Sequence, residues 1–301
     1  DGKDKPKRIR LNGTGFYAYL HWSPDSKKLA FVDNGRNLYI LDIASSTIKK
    51  IDADEMYVPG PFRDLYGDWS PDSKWIVYTK VTETMFKRIC VYSLDQGKSL
   101  ALTDGLSDAS DPVFDKGGNY LYFFASTDAG PVVNWFDQSN ADMEMTYSIY
   151  LMTMRKDIIS PFAKESDEET IKTEEAVKEP VKTDKKGKPD KAEPSKDTKP
   201  FVIDFEGIQD RIVSIPLKAG NYSQLGVLKE NEIIYVSRPY DYSSTAKLIK
   251  YDIKKREEKQ VMELNGYRLS ADGKKMLYAK PGVWGITDAG EEPKAGKGIL
   301  K

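Results

Sequence analysis

A short turn motif between apolar segments recurs along the chain, and this repeat limits the possible folds more than any other feature. Residues 21–31 read His-Trp-Ser-Pro-Asp-Ser-Lys-Lys-Leu-Ala-Phe, and residues 68–78 repeat the pattern as Asp-Trp-Ser-Pro-Asp-Ser-Lys-Trp-Ile-Val-Tyr. Degraded copies follow at 113–123 and 269–278. Proline presets φ for a tight turn, Asp bonds its own backbone, and Ser or Gly follows where a left-handed residue is needed. Each copy therefore predicts a β-hairpin.

Further strand-like segments follow each hairpin, so that each unit contains four strands. Units of roughly 40 to 45 residues with four strands are typical of β-propeller blades. Five such units are visible, near residues 17–52, 65–104, 110–217 with an insertion, 222–264 and 266–301. Amphipathic helical spacing is nearly absent. The predicted fold class is therefore all-β, a β-propeller of four-stranded antiparallel blades with about five blades visible.

The first residues bear on the completeness of the ring. Lys7–Leu11 resembles an outer fourth strand that has no blade before it. Propellers close with about 4–8 blades, so five units can close, but an orphan strand indicates a ring that has been cut. The chain also begins with Asp1 rather than Met. We therefore expect a fragment of a longer protein, with the visible blades forming part of a larger or cut ring.

A charged segment divides the chain into three parts: propeller blades at 1–163, an insertion at 164–199 and the remaining blades at 200–301. The insertion is rich in Lys, Glu, Asp, Pro and Thr and has almost no large apolar side chains. Such a segment cannot bury enough surface to offset its ordering entropy. We expect a disordered, solvated loop at a hairpin tip between Ile149–Met154 and Asp210–Ile215, rather than a partner-binding tail.

Charge and composition exclude several classes of function. The chain has 47 acidic and 46 basic residues, so it lacks the positive field of a nucleic-acid-binding protein. No apolar stretch approaches the roughly 20 residues of a membrane helix. The single cysteine, Cys90, lies in an apolar run and is expected to be a packing residue. One His and one Cys exclude a nitrogen or sulfur metal site.

The sequence predicts no catalytic, cofactor-binding or metal-binding residues. A serine hydrolase needs an imidazole base, and the only histidine, His21, ends an inner strand where a structural role is expected. Oxygen-ligand calcium is left open through Asp104, Asp108 and Asp111, although turn capping explains these residues better. Asp111 and Asp210–Arg211 are candidates to line a central channel, but an acid–base pair that locks two strands is the commoner use of such neighbours.

The turn motifs resemble TolB-type and WD40-like propeller repeats. More specifically, Ile203–Leu217, followed by Gly220-Asn221-Tyr222, resembles a segment of the second propeller of tricorn-type proteases, and Val283–Ile286 is similar to the end of that propeller. Members of that family are large serine peptidases with downstream PDZ-like and catalytic domains. The resemblance implies that this chain is a noncatalytic part, and that its propeller channels or filters peptides, or serves as a scaffold or docking surface.

Three hypotheses follow. The first is the noncatalytic propeller of a tricorn-like serine peptidase, with peptides or protein partners and the downstream domains of the same polypeptide as its contacts. The second is a stand-alone TolB-like interaction propeller. The third is a carbohydrate-active propeller enzyme, which needs two carboxylates a few ångströms apart. The resemblance implies a periplasmic or secreted location, with the cytoplasm as the alternative.

Overall fold

The computed structural model describes residues 5–11, 15–56, 65, 67–128, 144–163, 201–240, 244–294 and 297–300. Within these ranges the chain forms five antiparallel sheets, in each of which the strands lie side by side in sequence order. This order is that of four-stranded meanders. It arises because a tight turn joins each strand to its neighbour.

The first sheet contains β1 (Tyr17–Trp22), β2 (Lys28–Asp33), β3 (Asn37–Asp42) and β4 (Ile48–Ala53). The second contains β5 (Asp68–Trp69), β6 (Trp75–Val81), β7 (Lys87–Ser93) and β8 (Lys98–Ala101). The third contains β9 (Asp108–Phe114), β10 (Tyr120–Ser126), β11 (Ser148–Thr153) and β12 (Ile212–Ser214), which follows a 3-10 helix at Gln209–Arg211. The fourth contains β13 (Asn221–Lys229), β14 (Glu232–Arg238), β15 (Lys247–Asp252) and β16 (Glu257–Glu263). The fifth contains β17 (Gly266–Leu269), β18 (Lys275–Lys280) and β19 (Val283–Asp288).

The fifth sheet has a short segment in its fourth position. The Ile286 amide donates to the Gly298 carbonyl at 2.7 Å, and the Leu300 amide donates to the Trp284 carbonyl at 2.8 Å. Gly285 and Ile299 form an antiparallel bridge between these bonds. Each sheet thus has four strand positions, and the prediction of an all-β propeller with five four-stranded blades is confirmed. The sheets are called blades 1 to 5 below.

The Ser-Pro-Asp turns have the geometry that their sequence predicts. In blade 2 the Ser70 hydroxyl donates to Asp72 at 2.6 Å and accepts from the Trp75 amide at 3.0 Å. Ser73 then adopts φ 61°, and the equivalent glycines, Gly118 and Gly273, both have φ 70°. A left-handed residue at this position lets the chain reverse within one turn.

Four hydrophobic clusters of the described residues lie between neighbouring blades, and a fifth covers the outer face of blade 1. The core between blades 1 and 2 contains Leu38, Trp69 and Tyr78, each at most 3% exposed. Three further clusters join blades 2 and 3, 3 and 4, and 4 and 5. Since each blade covers its neighbour, the stability of one blade depends on the blades beside it.

Two predicted features concern the start of the chain and the charged insertion. Lys7–Leu11 was predicted as an outer strand, and this is wrong: the segment forms no strand. Instead Ile9 and Leu11 pack against the outer face of blade 1 beside Phe31, and the Lys7 ammonium donates to the Ile43 carbonyl at 2.5 Å. The predicted disordered insertion, 164–199, lies outside the described residues, although the flanking strands β11 and β12 do pair with each other.

Candidate functional site

The first strand of every blade carries one residue at the same depth, and the strand register identifies it. His21 pairs with Ala30, and the matching inner residues of the other blades are Asp68, Val113, Gly226 and Arg268. Each immediately precedes the residue that pairs with the second residue of the second strand. We call these five residues the inner-strand ring. Ligand sites in propellers occur at the central channel that such strands surround.

Charges from four blades meet at His21. The pKa of His21 is lowered, chiefly by burial, and the positive charges of Arg268 and Lys116 lower it further, whereas Asp68 opposes them. These groups come from blades 5, 3 and 2 respectively. Interaction across so many blades requires that the first strands converge on a common centre. Charged side chains of blades 2, 3 and 5 therefore share one electrostatic environment at His21.

Asp68 is both a ring residue and a link between blades. Its carboxylate accepts from its own neighbour, the Trp69 amide, at 2.9 Å and from the Phe114 amide of blade 3 at 3.1 Å. Burial raises the pKa of Asp68, and the charges of His21 and Lys116 act against that rise. Trp69 in turn donates its indole N–H to the His21 carbonyl at 3.2 Å. Three consecutive blades are thus joined at the ring.

Three inner strands have a bulge two residues before the ring. Tyr19, Asp111 and Gln224 have φ of 54°, 51° and 54°, and the pairing shifts at each of these points. A positive φ is costly for residues other than glycine, and such strain concentrates at functional sites. Bulges also redirect side chains at the rims of channels. The bulges therefore mark the part of the channel beside the inner-strand ring as the candidate functional site.

The predicted acidic candidates separate in the structure. Asp104 accepts from the Leu106 amide at 2.9 Å, as a turn-capping residue does. Asp108 is fully buried and accepts from the Lys87 amide at 3.0 Å. Asp111 is in the bulge of β9, where its charge acts on Tyr267 of blade 5. Within the described ranges, no three His, Cys, Asp or Glu residues are close enough to hold a metal ion.

Asp210 and Arg211 neither line the channel nor form an acid–base pair that locks two strands. Both residues belong to the 3-10 helix that precedes β12, which is the outermost strand of blade 3. The Arg211 guanidinium donates to the Thr153 carbonyl at 3.1 Å and to the carbonyls of Asp204 and Glu206. Arg211 therefore fastens the end of the insertion to the blade by bonding carbonyls, not by pairing with an acid.

Cys90 lies in the core between blades 1 and 2 and is 4% exposed. Burial raises the pKa of its thiol to about 11, so the thiolate that would act as a nucleophile is not formed near neutral pH. This agrees with the packing role expected from the apolar run around it.

Sequence reasoning missed Asp68, Lys116 and Arg268 as members of one site. Asp68 and Arg268 both come directly before the apolar residue that opens the Ser-Pro-Asp or Ser-Ala-Asp turn. The residue type at this one repeat position, compared across the repeats, was the signal that could have identified the ring. The bulges had no such signal, because Tyr19, Asp111 and Gln224 share no residue type.

Comparison with known proteins identifies the family. A family model described as the tricorn protease second β-propeller domain matches residues 1–290. The chain belongs to this family. Over 283 residues, 92% of the chain, it is 25% identical to the tricorn protease homolog of Saccharolobus solfataricus, of which it covers 23%. It is 24% identical over 291 residues to tricorn protease homolog 1 of Streptomyces coelicolor, of which it covers 25%.

Solved structures show the same propeller fold. The crystal structure of the tricorn protease superposes with a TM-score of 0.64 at 18% identity, over 93% of this chain and 25% of that one. TolB from Acinetobacter baumannii superposes with a TM-score of 0.53 at 15% identity, over 92% of this chain and 52% of that one. This tricorn second-propeller chain spans about a quarter of the length of its tricorn relatives. No helix in its described part is long and apolar enough to cross a membrane.

Proposed function

We propose that this tricorn second-propeller chain is a noncatalytic part of a larger serine peptidase, and that its central channel receives peptides. The family match over residues 1–290 carries the proposal. The peptides and the downstream PDZ-like and catalytic domains of the same polypeptide are the proposed partners. The role of the chain is to select and orient peptides, while peptide-bond hydrolysis takes place elsewhere.

The inner-strand ring supports a role in binding. Arg268 is exposed on its inner strand, and Lys116 acts on the same His21. Two permanent cations near a polar opening attract the carboxylates of peptides, and attraction in a low-dielectric channel is stronger than at an open surface. Asp68 supplies at most one negative charge, so it balances at most one of these two cations.

The experiment is to mix the chain with fluorescent peptides that have a free C-terminal carboxylate, and to follow anisotropy and cleavage together. We expect saturable binding without cleavage. The double variant Arg268→Glu/Lys116→Glu should bind about tenfold more weakly, because two attractive charges become repulsive. Lys254→Glu/Lys259→Glu, a pair of exposed residues at the outer edge of blade 4, is the charge-matched control. Cleavage by the purified chain overturns the noncatalytic assignment, and equal weakening by both variants overturns the ring.

The two alternatives predict different results. A stand-alone interaction propeller binds a folded protein partner and leaves short peptides unbound. A carbohydrate-active propeller cleaves oligosaccharides, and its activity requires a pair of carboxylates. The periplasmic or secreted location is also part of the proposal, with the cytoplasm as alternative. Cell fractionation followed by immunodetection of the chain distinguishes the two.

A further inference from the structure

Lys116 lies close to the axis of the propeller. It follows Asp115 in the first hairpin turn of blade 3. The last carbon and the nitrogen of its side chain lie 3.5 and 3.6 Å from the point that a side chain on Gly273 of blade 5 would occupy. Its charge also acts on His21 of blade 1 and on Asp68 of blade 2. Only a point near the axis is within reach of blades 1, 2 and 5 at once, so the Lys116 ammonium lies over the channel.

Arg268 brings a second positive charge to the same end of the channel. It is an exposed member of the inner-strand ring, and its charge acts on His21 as that of Lys116 does. Lys116 comes three residues after the ring residue of its own blade, Val113, on the side of the hairpin turns. Within the described ranges, neither cation forms a salt bridge with a carboxylate. We call the part of the channel at Lys116 and Arg268 the cationic end.

The other acids of the neighbouring turns do not neutralise the cationic end. Asp272 accepts from the hydroxyl and from an amide of its own turn, at 2.6 and 3.0 Å. Glu230 of blade 4 acts on the buried Asp115 of blade 3. Among the described residues, Asp68 is the one carboxylate whose charge acts on His21. Two positive charges therefore face one negative charge at this level of the channel.

An acidic group lies on the other side of the ring. Asp111 is exposed in the bulge of β9, two residues before Val113, and its charge acts on Tyr267 of blade 5. The Tyr267 hydroxyl donates to the Gln224 carbonyl at 2.7 Å and lies 2.8 Å from the point that a side chain on Gly226 would occupy. Blade 4 thus contributes no side chain at the ring, and a phenol of blade 5 takes its place in the wall. The channel is positive on the side of the turns and negative at the bulges.

The distance between the two ends limits the length of a ligand that reaches both. Asp111 and Lys116 are five residues apart on one arm of the hairpin. Because a strand rises about 3.3 Å per residue, the two positions are at most about 16 Å apart along the axis. An extended peptide of four or five residues has about this length.

We propose that the channel binds short peptides in one direction, with the C-terminal carboxylate at Lys116 and Arg268 and the N-terminal ammonium toward Asp111. A peptide carries its terminal charges in this order, so the reverse orientation would place like charges together at both ends. The inference rests on the proposed function and adds to it the polarity and the length of the bound peptide.

The probes are four versions of one pentapeptide that has uncharged side chains and a neutral fluorophore on its central residue. The C-terminus is free or amidated, and the N-terminus is free or acetylated. Fluorescence anisotropy measures the binding of each version to the whole chain. We expect amidation and acetylation each to weaken binding at least about fivefold, because each removes one charge that the channel attracts.

Variants of the two ends assign each charge of the peptide to its site. In Lys116→Met/Arg268→Met, amidation should change binding less than about twofold, whereas acetylation should keep its full effect. Asp111→Asn should show the reverse, and Asn tolerates the left-handed backbone of the bulge. Lys259→Met, at an exposed position on the outermost strand of blade 4, is the control and should alter neither effect. Circular dichroism checks that each variant is folded.

Three outcomes overturn the inference. The first is saturable binding that amidation does not weaken, and the second is a loss of the amidation effect in Asp111→Asn rather than in the double variant. The third is a control, Lys259→Met, that alters the effects as much as the channel variants do. In each of these cases the peptide channel itself stands. If no version of the peptide binds at millimolar concentration, the proposed function is contradicted and the inference falls with it.

Discussion

Asp115 shows how one residue departs from the repeat at a cost. It occupies the turn position that Ser23 and Ser70 hold in the first two blades, and its side chain is buried. Its carboxylate accepts from the Gly117 amide at 3.0 Å, and the backbone of Asn231 and Asn119 also bonds to it. Burial, with a smaller contribution from Glu230, raises the pKa of Asp115 to about 6. A neutral side chain suits this position better than a carboxylate.

Asp115→Asn should stabilise the chain at pH 8 and have little effect at pH 4. The folded pKa of about 6 lies above the ordinary value of 3.8, so the stability that protonation contributes is present below pH 3.8 and lost as pH rises through 6. Asn stays neutral, and we expect about 2 kcal/mol at pH 8 from urea denaturation. Asp272→Asn is the control with opposite sign, because the Ser270 hydroxyl lowers the pKa of Asp272. Equal effects of Asp115→Asn at both pH values contradict the prediction.

At the scale of single elements, the hairpin turns are the part of the fold that the sequence predicts best. Their side-chain and backbone bonds are local, so Ser70 and Asp72 form them wherever the motif occurs. One bond in these turns is not local: the Asp25 amide donates to the Ser73 hydroxyl at 3.1 Å and ties blade 1 to blade 2. The bulge at Asp111 could not be predicted either, because it depends on how neighbouring inner strands pack.

Ser26→Gly and Ser73→Gly should therefore differ, although both residues adopt a left-handed conformation, with φ of 58° and 61°. Glycine relieves the backbone cost, so we expect Ser26→Gly to raise the free energy of unfolding by about 0.5 to 1 kcal/mol. In Ser73→Gly the lost bond to the Asp25 amide, worth about 1 kcal/mol, offsets this gain. Urea denaturation of the two variants measures the difference. Equal stabilisation by both would show that the bond between the blades contributes nothing.

At the scale of the whole molecule, the blades and their order were predictable, but the packing between the blades was not. The repeat directly indicates four strands per blade, since each strand has its own apolar segment. Between blades 2 and 3, Phe205 packs against Trp75, which is far from it along the chain. No local pattern links such distant residues. The inner-strand ring was predictable only in part. Asp68 and Arg268 share a repeat position, but their approach to Lys116 depends on how the blades are arranged around one centre.

Phe201→Ala/Phe205→Ala should destabilise the whole molecule, because it empties the cleft that joins blades 2 and 3. Deleting two rings from a packed cluster should cost about 3 to 5 kcal/mol, and we expect a lower midpoint in calorimetry with one transition retained. Val202→Ala is the matched control, since Val202 lies in the same segment and is 42% exposed. A separate early transition in the double variant would show that the blades on either side unfold independently.

The docking of Phe162 on blade 4 and of Phe205 on blade 2 has a practical use. The segments on both sides of the insertion in blade 3 are thus held by neighbouring blades. The distance between these two segments therefore does not depend on the chain that joins them. An epitope or fluorescent protein inserted between Phe162 and Phe205 would be displayed at the rim, and the register of β11 with β12 would be kept. Labels for imaging or purification therefore have a natural point of attachment there.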